Sequence, residues 1–335
     1  MNYNMKPYIK ALVVGIDHYY GGAGALRGCV NDAQAVAERL RRTGDGSPNA
    51  DVELIVSDDR NGVDAEGLQE AVSRFFGMGG MSVAIFYFAG HGFIDASGDG
   101  YIGSSDQKQG MRMSSIVRLA NEGVGNHSRV IILDCCNAGR AGENNGFRSD
   151  GESAIGRGTT ILTSCDRTQL AREGARNGLF TGLLLDALDG GAADICGNIT
   201  PASVYAYIDQ TLRSKEQRPI YKANVQNFVT LRQVEPKISF DVLHRLPEYF
   251  PAADHVFALD SSYEPDREHV NKKLKLLPVN DEHVRVFKEL QKFNRQGLVV
   301  PVGADDMFFA AIHSKGCALT ALGKHYRRLI QNREL

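Results

Sequence analysis

The chain has 335 residues, with 38 Lys and Arg set against 40 Asp and Glu, and 43% of it is hydrophobic. A net charge of −2 excludes the whole-chain field of a dedicated nucleic-acid or membrane-surface binder, and no apolar run approaches the ~20 residues that span a bilayer. The length predicts about two domains at roughly 100–200 residues each.

The opening stretch, "MNYNMKPYIKALVVG", lacks the long apolar segment and small-residue cleavage site of a signal peptide, so a cytoplasmic protein is expected. The six cysteines are Cys29, Cys135, Cys136, Cys165, Cys196 and Cys317, and none forms a C-x-x-C pair. Neither a zinc site nor a disulfide framework is expected from that spacing.

Short apolar runs at 11–16, 52–57, 83–90, 129–134 and 159–164 read as buried strands. Helical periodicity fills the gaps, at 31–42, 65–76 and 114–123. Strand alternating with helix predicts an α/β domain with a mostly parallel sheet. Asn31 or Asp32 falls in the first turn of the 31–42 helix, where a cap is common. Residues 137–158 are rich in Gly, Asn and Ser and read as a long exposed loop. Helices over 180–191 and 201–213 and a strand over 227–232 follow, and the stretch from Pro236 to about 255 reads as a change of domain. The last part predicts a helix from 281 to Gly297 and then a strand. Over 307–331 it predicts a strand, a turn at Lys315-Gly316, a short strand and a basic helix, which is compatible with a winged-helix unit.

In a parallel sheet, functional groups gather at the C-terminal ends of the strands. Two ends carry reactive groups here: "FYFAGHG", with His91, and "IILDCCNAG", with Cys135 and Cys136. An imidazole beside a thiol lowers its pKa and shuttles its proton. The N–H of Gly92 is placed to face a developing oxyanion. Alone, a strand-end histidine is compatible with a structural role and a strand-end cysteine with a small core residue. No phosphate-binding G-x-x-x-x-G-K-[ST] occurs.

"ALVVGID…LRGCVNDAQAVAERL", "FYFAGHG", "VIILDCCNAG", "NGLFTGLLLDAL" and "QRPIY" occur in that order. Over about residues 8–232 the chain resembles the caspase-like cysteine peptidases, and metacaspases and their prokaryotic relatives more than animal caspases. The resemblance implies a caspase-haemoglobinase-like, mostly parallel sheet flanked by helices, over 1–235, while the element pattern of the C-terminal part gives a basic winged-helix-like accessory domain at 250–335. It implies a Cys–His dyad of Cys136 and His91, with Gly92 and Cys136 N–H groups as oxyanion donors, and leaves Cys135 as a packing residue. It implies that Asp32 and Asp134 line the primary specificity pocket, which favours a substrate Arg or Lys. Animal caspases carry an arginine four residues before the acid at Asp32; here Gly28 stands there, with Arg27 adjacent. The chain departs from many metacaspases at Ala89, which leaves Arg-versus-Lys preference open, and at Asn137 and Ala138, neither of which is the nucleophile or base.

The resemblance also implies processing in the 137–158 loop, with Arg140, Arg148 and Arg157 as candidate sites. No resident metal or cofactor is expected; Asp95, Asp99 and Asp106 offer the one candidate calcium cluster, although acids in a Gly-rich loop also make an ordinary solvated turn. The expected partner is a protein or peptide substrate. Residues 267–335 hold more Lys and Arg than Asp and Glu, so this module is read as a protein-docking element, with nucleic acid as the other reading; the resemblance to bacterial caspase-like proteases implies a partner ATPase or sensor in a signalling or defence system. The alternative functions are a non-catalytic caspase-like adaptor and a nucleic-acid-binding regulator.

Overall fold

Every residue of "VAIFYFA", Val83–Ala89, is buried, and this strand lies at the centre of a six-stranded sheet. The computed structural model describes residues 8–20, 25–57, 61–106, 110–123, 125, 128–135, 155–164, 177–212, 218–268, 270 and 276–335. It divides into two compact units, Met1–Glu235 and Pro236–Leu335.

In the first unit the elements run β1 (Ile9–Gly15), α1 (Cys29–Arg41), β2 (Ala50–Val56), α2 (Ala65–Gly77), β3 (Val83–Ala89), β4 (Gly92–Ile94), β5 (Gly100–Ile102), β6 (Met111–Arg112), α3 (Met113–Glu122), β7 (Ser128–Asp134) and β8 (Thr159–Thr163). They continue with α4 (Leu179–Asp186), a π-helical turn over Ala187–Gly191, β9 (Asn198–Ile199), α5 (Pro201–Thr211), β10 (Ile220–Asn224) and β11 (Arg232–Gln233). The large sheet has the order β10-β8-β7-β3-β1-β2. Strands β2, β1, β3, β7 and β8 are parallel. Only β10 is antiparallel to its neighbour.

Alternation along the central strands sorts the core into two layers. Ala11, Val13, Ile85, Tyr87, Val130 and Ile132 face one way and pack on α1, α4 and α5. Leu12, Val14, Phe86, Phe88, Ile131 and Leu133 face the other way and pack on α2 and α3. The result is a three-layer α/β/α domain with helices on both faces of a mostly parallel sheet. Strands β4, β5 and β6 form a small antiparallel sheet directly after the end of β3.

The sixth strand differs from expectation. The sequence pattern predicts a strand at 227–232, yet the paired segment is β10 at Ile220–Asn224. Val229 and Leu231 are apolar because they fill the core from irregular chain. Strand β10 is an edge strand with no fully buried residue, so it lacks the apolar signature of its neighbours.

The second unit takes in residues 236–249, read from sequence as the connection. These form α6 (Phe240–Leu243) and α7 (Leu246–Tyr249), followed by β12 (Val256–Ala258), a 3-10 turn at Ser261–Tyr263, α8 (Asp281–Arg295), β13 (Val299–Val302), α9 (Met307–Ile312), β14 (Gly316–Leu319) and α10 (Ala321–Gln331). Its sheet is antiparallel, in the order β12-β14-β13. The strand expected at 307 is a helix instead. Asp306 caps it by accepting from the N–H of Phe309 at 2.8 Å, and Met307, Ala310 and Ala311 bury one helical face. The predicted strand–turn–strand wing is therefore two strands separated by α9.

Candidate functional site

The site is built at the C-terminal ends of β1, β3 and β7. Past β1 the chain turns, and the N–H groups of Asp17 and His18 donate to Ser57 Oγ at 2.9 and 3.1 Å. The Asp17 carboxylate in turn accepts from the N–H groups of Cys29 (2.8 Å) and Val30 (3.3 Å). Gly28, which precedes α1, has no side chain with which to cap it. Asp17 supplies that cap from outside the helix and opposes its positive end.

Asp32 is therefore free of the capping role that its position in the first turn suggests. It is only 3% exposed, and its carboxylate accepts from Asn177 Nδ2 at 2.6 Å and from the Gly178 N–H at 3.2 Å. Asp134 ends β7 on the sheet face that carries Val130 and Ile132, which is the α1 and α4 side. The Thr181 hydroxyl donates to Asp134 Oδ2 at 2.6 Å. Since that proton is committed, the Tyr87 hydroxyl, 2.6 Å from Thr181 Oγ1, is the donor to it.

The two acids converge on Gly178. A Cβ placed there would lie 3.3 Å from Asp32 Oδ2 and 3.5 Å from Asp134 Oδ2. Burial pushes the Asp32 carboxyl up to about 6, opposed by the Asn177 hydrogen bond and reinforced by the Asp134 charge. Desolvation also raises the Asp134 carboxyl, opposed chiefly by the Thr181 bond. Both carboxyls thus favour their neutral forms more than a solvated acid does, and both direct an Oδ2 toward Gly178. Arg27 is exposed, and a Cβ on Gly28 would meet nothing within 4 Å.

His91 follows the end of β3 by two residues and is half-buried. Its N–H donates to Tyr19 Oη at 2.7 Å, its carbonyl accepts from the Gly103 N–H at 2.8 Å, and its ring lies 4.6 Å from the Tyr19 ring. Gly92 begins β4, opposite Ile102. Strands β3 and β7 are paired in register, Ala89 with Asp134. Cys135, on the opposite face from Asp134, is 1% exposed among Leu133, Ile131 and Phe88. Such a thiol is a packing group, out of reach of a substrate. Cys136, Arg140 and Arg148 lie outside the described residues, as do Asn137 and Ala138.

Arg157 is exposed just before β8, and its carbonyl accepts from Arg129 at 3.0 Å. The acids read as a calcium cluster have separate duties. Asp95 accepts from the N–H groups of Ser97 and Asp99, both at 2.9 Å, in the turn between β4 and β5. Asp99 pairs with Arg112 at 3.3 Å, and Asp106 accepts from the Ala65 N–H at 3.2 Å and from Ser104 Oγ at 2.7 Å. Among the described residues no three His, Cys, Asp or Glu side chains gather as a metal site, and no helix is long and apolar enough to cross a membrane.

Tyr19, Asn177, Gly178 and Thr181 carry no chemical signature that sequence reasoning could use. Asn177, Gly178 and Thr181 fall inside "NGLFTG", a segment noticed for its resemblance alone.

A family model described as a caspase domain matches residues 9–229. Caspase-1 from Spodoptera frugiperda superposes with a TM-score of 0.50 at 12% identity, over 70% of this chain and 93% of its own. A protein from Geobacter sulfurreducens superposes with a TM-score of 0.49 at 19% identity, over 69% of this chain and 98% of its own. No curated protein sequence matches the chain.

Proposed function

The chain belongs to the caspase-domain family, and from that membership we propose that it is a cysteine endopeptidase cleaving after Arg or Lys. The observation that carries the specificity is the convergence of Asp32 and Asp134 on one point beside Gly178. A guanidinium there meets two carboxylates and satisfies both, whereas an anionic side chain would add a third negative charge to a desolvated site.

The chemistry assigned to the reading is acyl transfer. The Cys136 thiolate adds to the carbonyl carbon of the Arg or Lys residue, and the carbonyl oxygen becomes an oxyanion held by the N–H groups of Gly92 and Cys136. His91, holding the thiol proton, passes it to the amide nitrogen as the C–N bond breaks and the amine leaves. Water, deprotonated by the same imidazole, then attacks the thioester, and the thiolate is released with the free carboxylic acid. The 137–158 loop, with Arg140, Arg148 and Arg157, is the segment assigned to self-cleavage.

A peptide with Arg before a fluorogenic leaving group tests the reading. The wild-type protein should release fluorophore, and Cys136→Ala and His91→Ala should each abolish release, while Cys135→Ala keeps most of it. Retained release in Cys136→Ala, with a dead Cys135→Ala, assigns the reaction to the other thiol. No release from the wild type under any of a panel of peptides and cations favours the non-catalytic adaptor.

A further inference from the structure

We infer that Tyr19 is a positioning residue for His91, setting the orientation of the imidazole through a hydrogen bond and a ring contact; this rests on the reading of His91 as the general base. The pairing of β1 with β3 ends at Gly15 and Ala89, and the last bond between them runs from the Ile16 N–H to the Ala89 carbonyl at 2.9 Å. Beyond that point the chain after β1 turns away, and the Asp17 carbonyl accepts from the Leu26 N–H instead. The His91 N–H thus lies one step past the ladder. The Tyr19 phenol takes the place of the missing strand carbonyl, at 2.7 Å.

The surroundings are shaped around that phenol. A Cβ on Gly90 would lie 2.6 Å from Tyr19 Oη and 2.8 Å from Phe88 Cζ. A Cβ on Gly103 would lie 3.3 Å from Tyr19 Cε1 and 3.0 Å from the His91 carbonyl oxygen. A side chain at either glycine would therefore crowd the Tyr19 ring or its hydroxyl. Tyr19 is itself held in place, because the flanking His18 N–H donates to Ser57 Oγ at 3.1 Å and the Tyr20 N–H to the Ser105 carbonyl at 2.7 Å. Burial raises the phenol pKa, with the Cys29, Cys135 and Asp17 groups facing it adding to the effect and the His91 backbone bond opposing it. The hydroxyl therefore stays protonated near neutral pH, and its oxygen accepts from the His91 N–H as an uncharged group. A base displaced by about 1 Å loses on the order of a hundredfold in rate, so a fixed imidazole has a direct catalytic consequence.

The test is Tyr19→Phe, which keeps the ring and removes the hydroxyl, with Gly90→Ala as a second variant that forces a methyl against the same oxygen. Amide exchange at His91 should quicken about fivefold or more in Tyr19→Phe, as expected for the loss of one hydrogen bond. With the fluorogenic Arg peptide, kcat should fall about tenfold in both variants, while KM and the Arg-to-Gln preference stay within twofold, because the acidic pair is untouched. A wild-type kcat in Tyr19→Phe, or a loss confined to KM or to the Arg preference, overturns the positioning role while leaving the peptidase reading intact. A wild-type protein without His91-dependent turnover overturns both. Should Tyr19→Phe not fold, a wild-type kcat in Gly90→Ala overturns the positioning role by itself.

Discussion

The acidic pair predicts a pH-dependent specificity that can be separated from the pH dependence of the chemistry. Burial raises the Asp32 carboxyl from 3.8 to about 6. At about 1.4 kcal/mol per unit, that is roughly 3 kcal/mol by which the fold disfavours the carboxylate. A bound guanidinium reverses the preference, since it favours the ionised form. The measurement is kcat/KM for two peptides that differ only in Arg or Gln before the cleaved bond, from pH 7.5 to pH 5. The dyad ionises alike with both peptides, so its pH dependence cancels in the ratio, and what remains belongs to the pocket. With a carboxyl at about 6, the Arg-to-Gln ratio should fall roughly tenfold between its plateau and pH 5. Asp32→Asn and Asp134→Asn should each lower the plateau by about thirtyfold or more, since removing one partner of a buried charge pair costs about 2–5 kcal/mol. A ratio that stays flat to pH 5, or that survives both substitutions, refutes the cation-pocket reasoning. A peptide with Asp at that position emerging as the best substrate would refute it too, and would turn attention to the exposed Arg27.

The same carboxyl gives a stability prediction of opposite sign to the usual salt-bridged acid. A raised pKa means that the folded state binds more protons than the unfolded state between about pH 4 and pH 6, so stability falls as pH rises through that window. Asp32→Asn should therefore raise the melting temperature of the unliganded protein at pH 7.5 and leave it nearly unchanged at pH 4, by thermal denaturation at both values. Asp17→Ala, which strips the external cap from α1, should cost about 1–2 kcal/mol, a fall of roughly 2–8 °C for a unit of this size; an unchanged melting temperature would show that water replaces the cap. Self-processing should appear on gels as cleavage within 137–158 that is absent in Cys136→Ala and abolished by combined Arg140→Gln, Arg148→Gln and Arg157→Gln. Cleavage that survives the triple variant would place the processing site elsewhere.

The parallel core was legible because its strands are buried on both faces and read as unbroken apolar runs, as in Val83–Ala89. Where a strand lies at an edge the signal fails. Ile220–Asn224 carries Lys222 and Asn224 within its five residues, and the apolar Val229 and Leu231 nearby drew the prediction away. In the second unit, "MFFAAI" is apolar enough to suit either period, and Asp306 decides for helix through a single capping bond. The strand-end pattern pointed to His91, whereas Asp32 and Asp134 were named as pocket acids only through the resemblance to metacaspases. The groups that hold them were beyond reach. Asn177 meets Asp32 across 145 positions of sequence and Tyr19 meets His91 across 72, and no local pattern encodes such a meeting.

That difference has a physical origin in what each residue contributes. Asp32 and Asp134 are costly to the fold, and their desolvation is offset only in part by Asn177, Gly178 and Thr181. A fold selected for stability alone would replace the pair with apolar side chains, often at a gain. Gly178 sharpens the point. A Cβ there would stand 3.3 Å from Asp32 Oδ2 and 3.5 Å from Asp134 Oδ2, so glycine keeps a side chain off both carboxyls. On the proposed reading the two acids await a substrate guanidinium or ammonium, which would offset the cost of their burial by supplying the opposite charge.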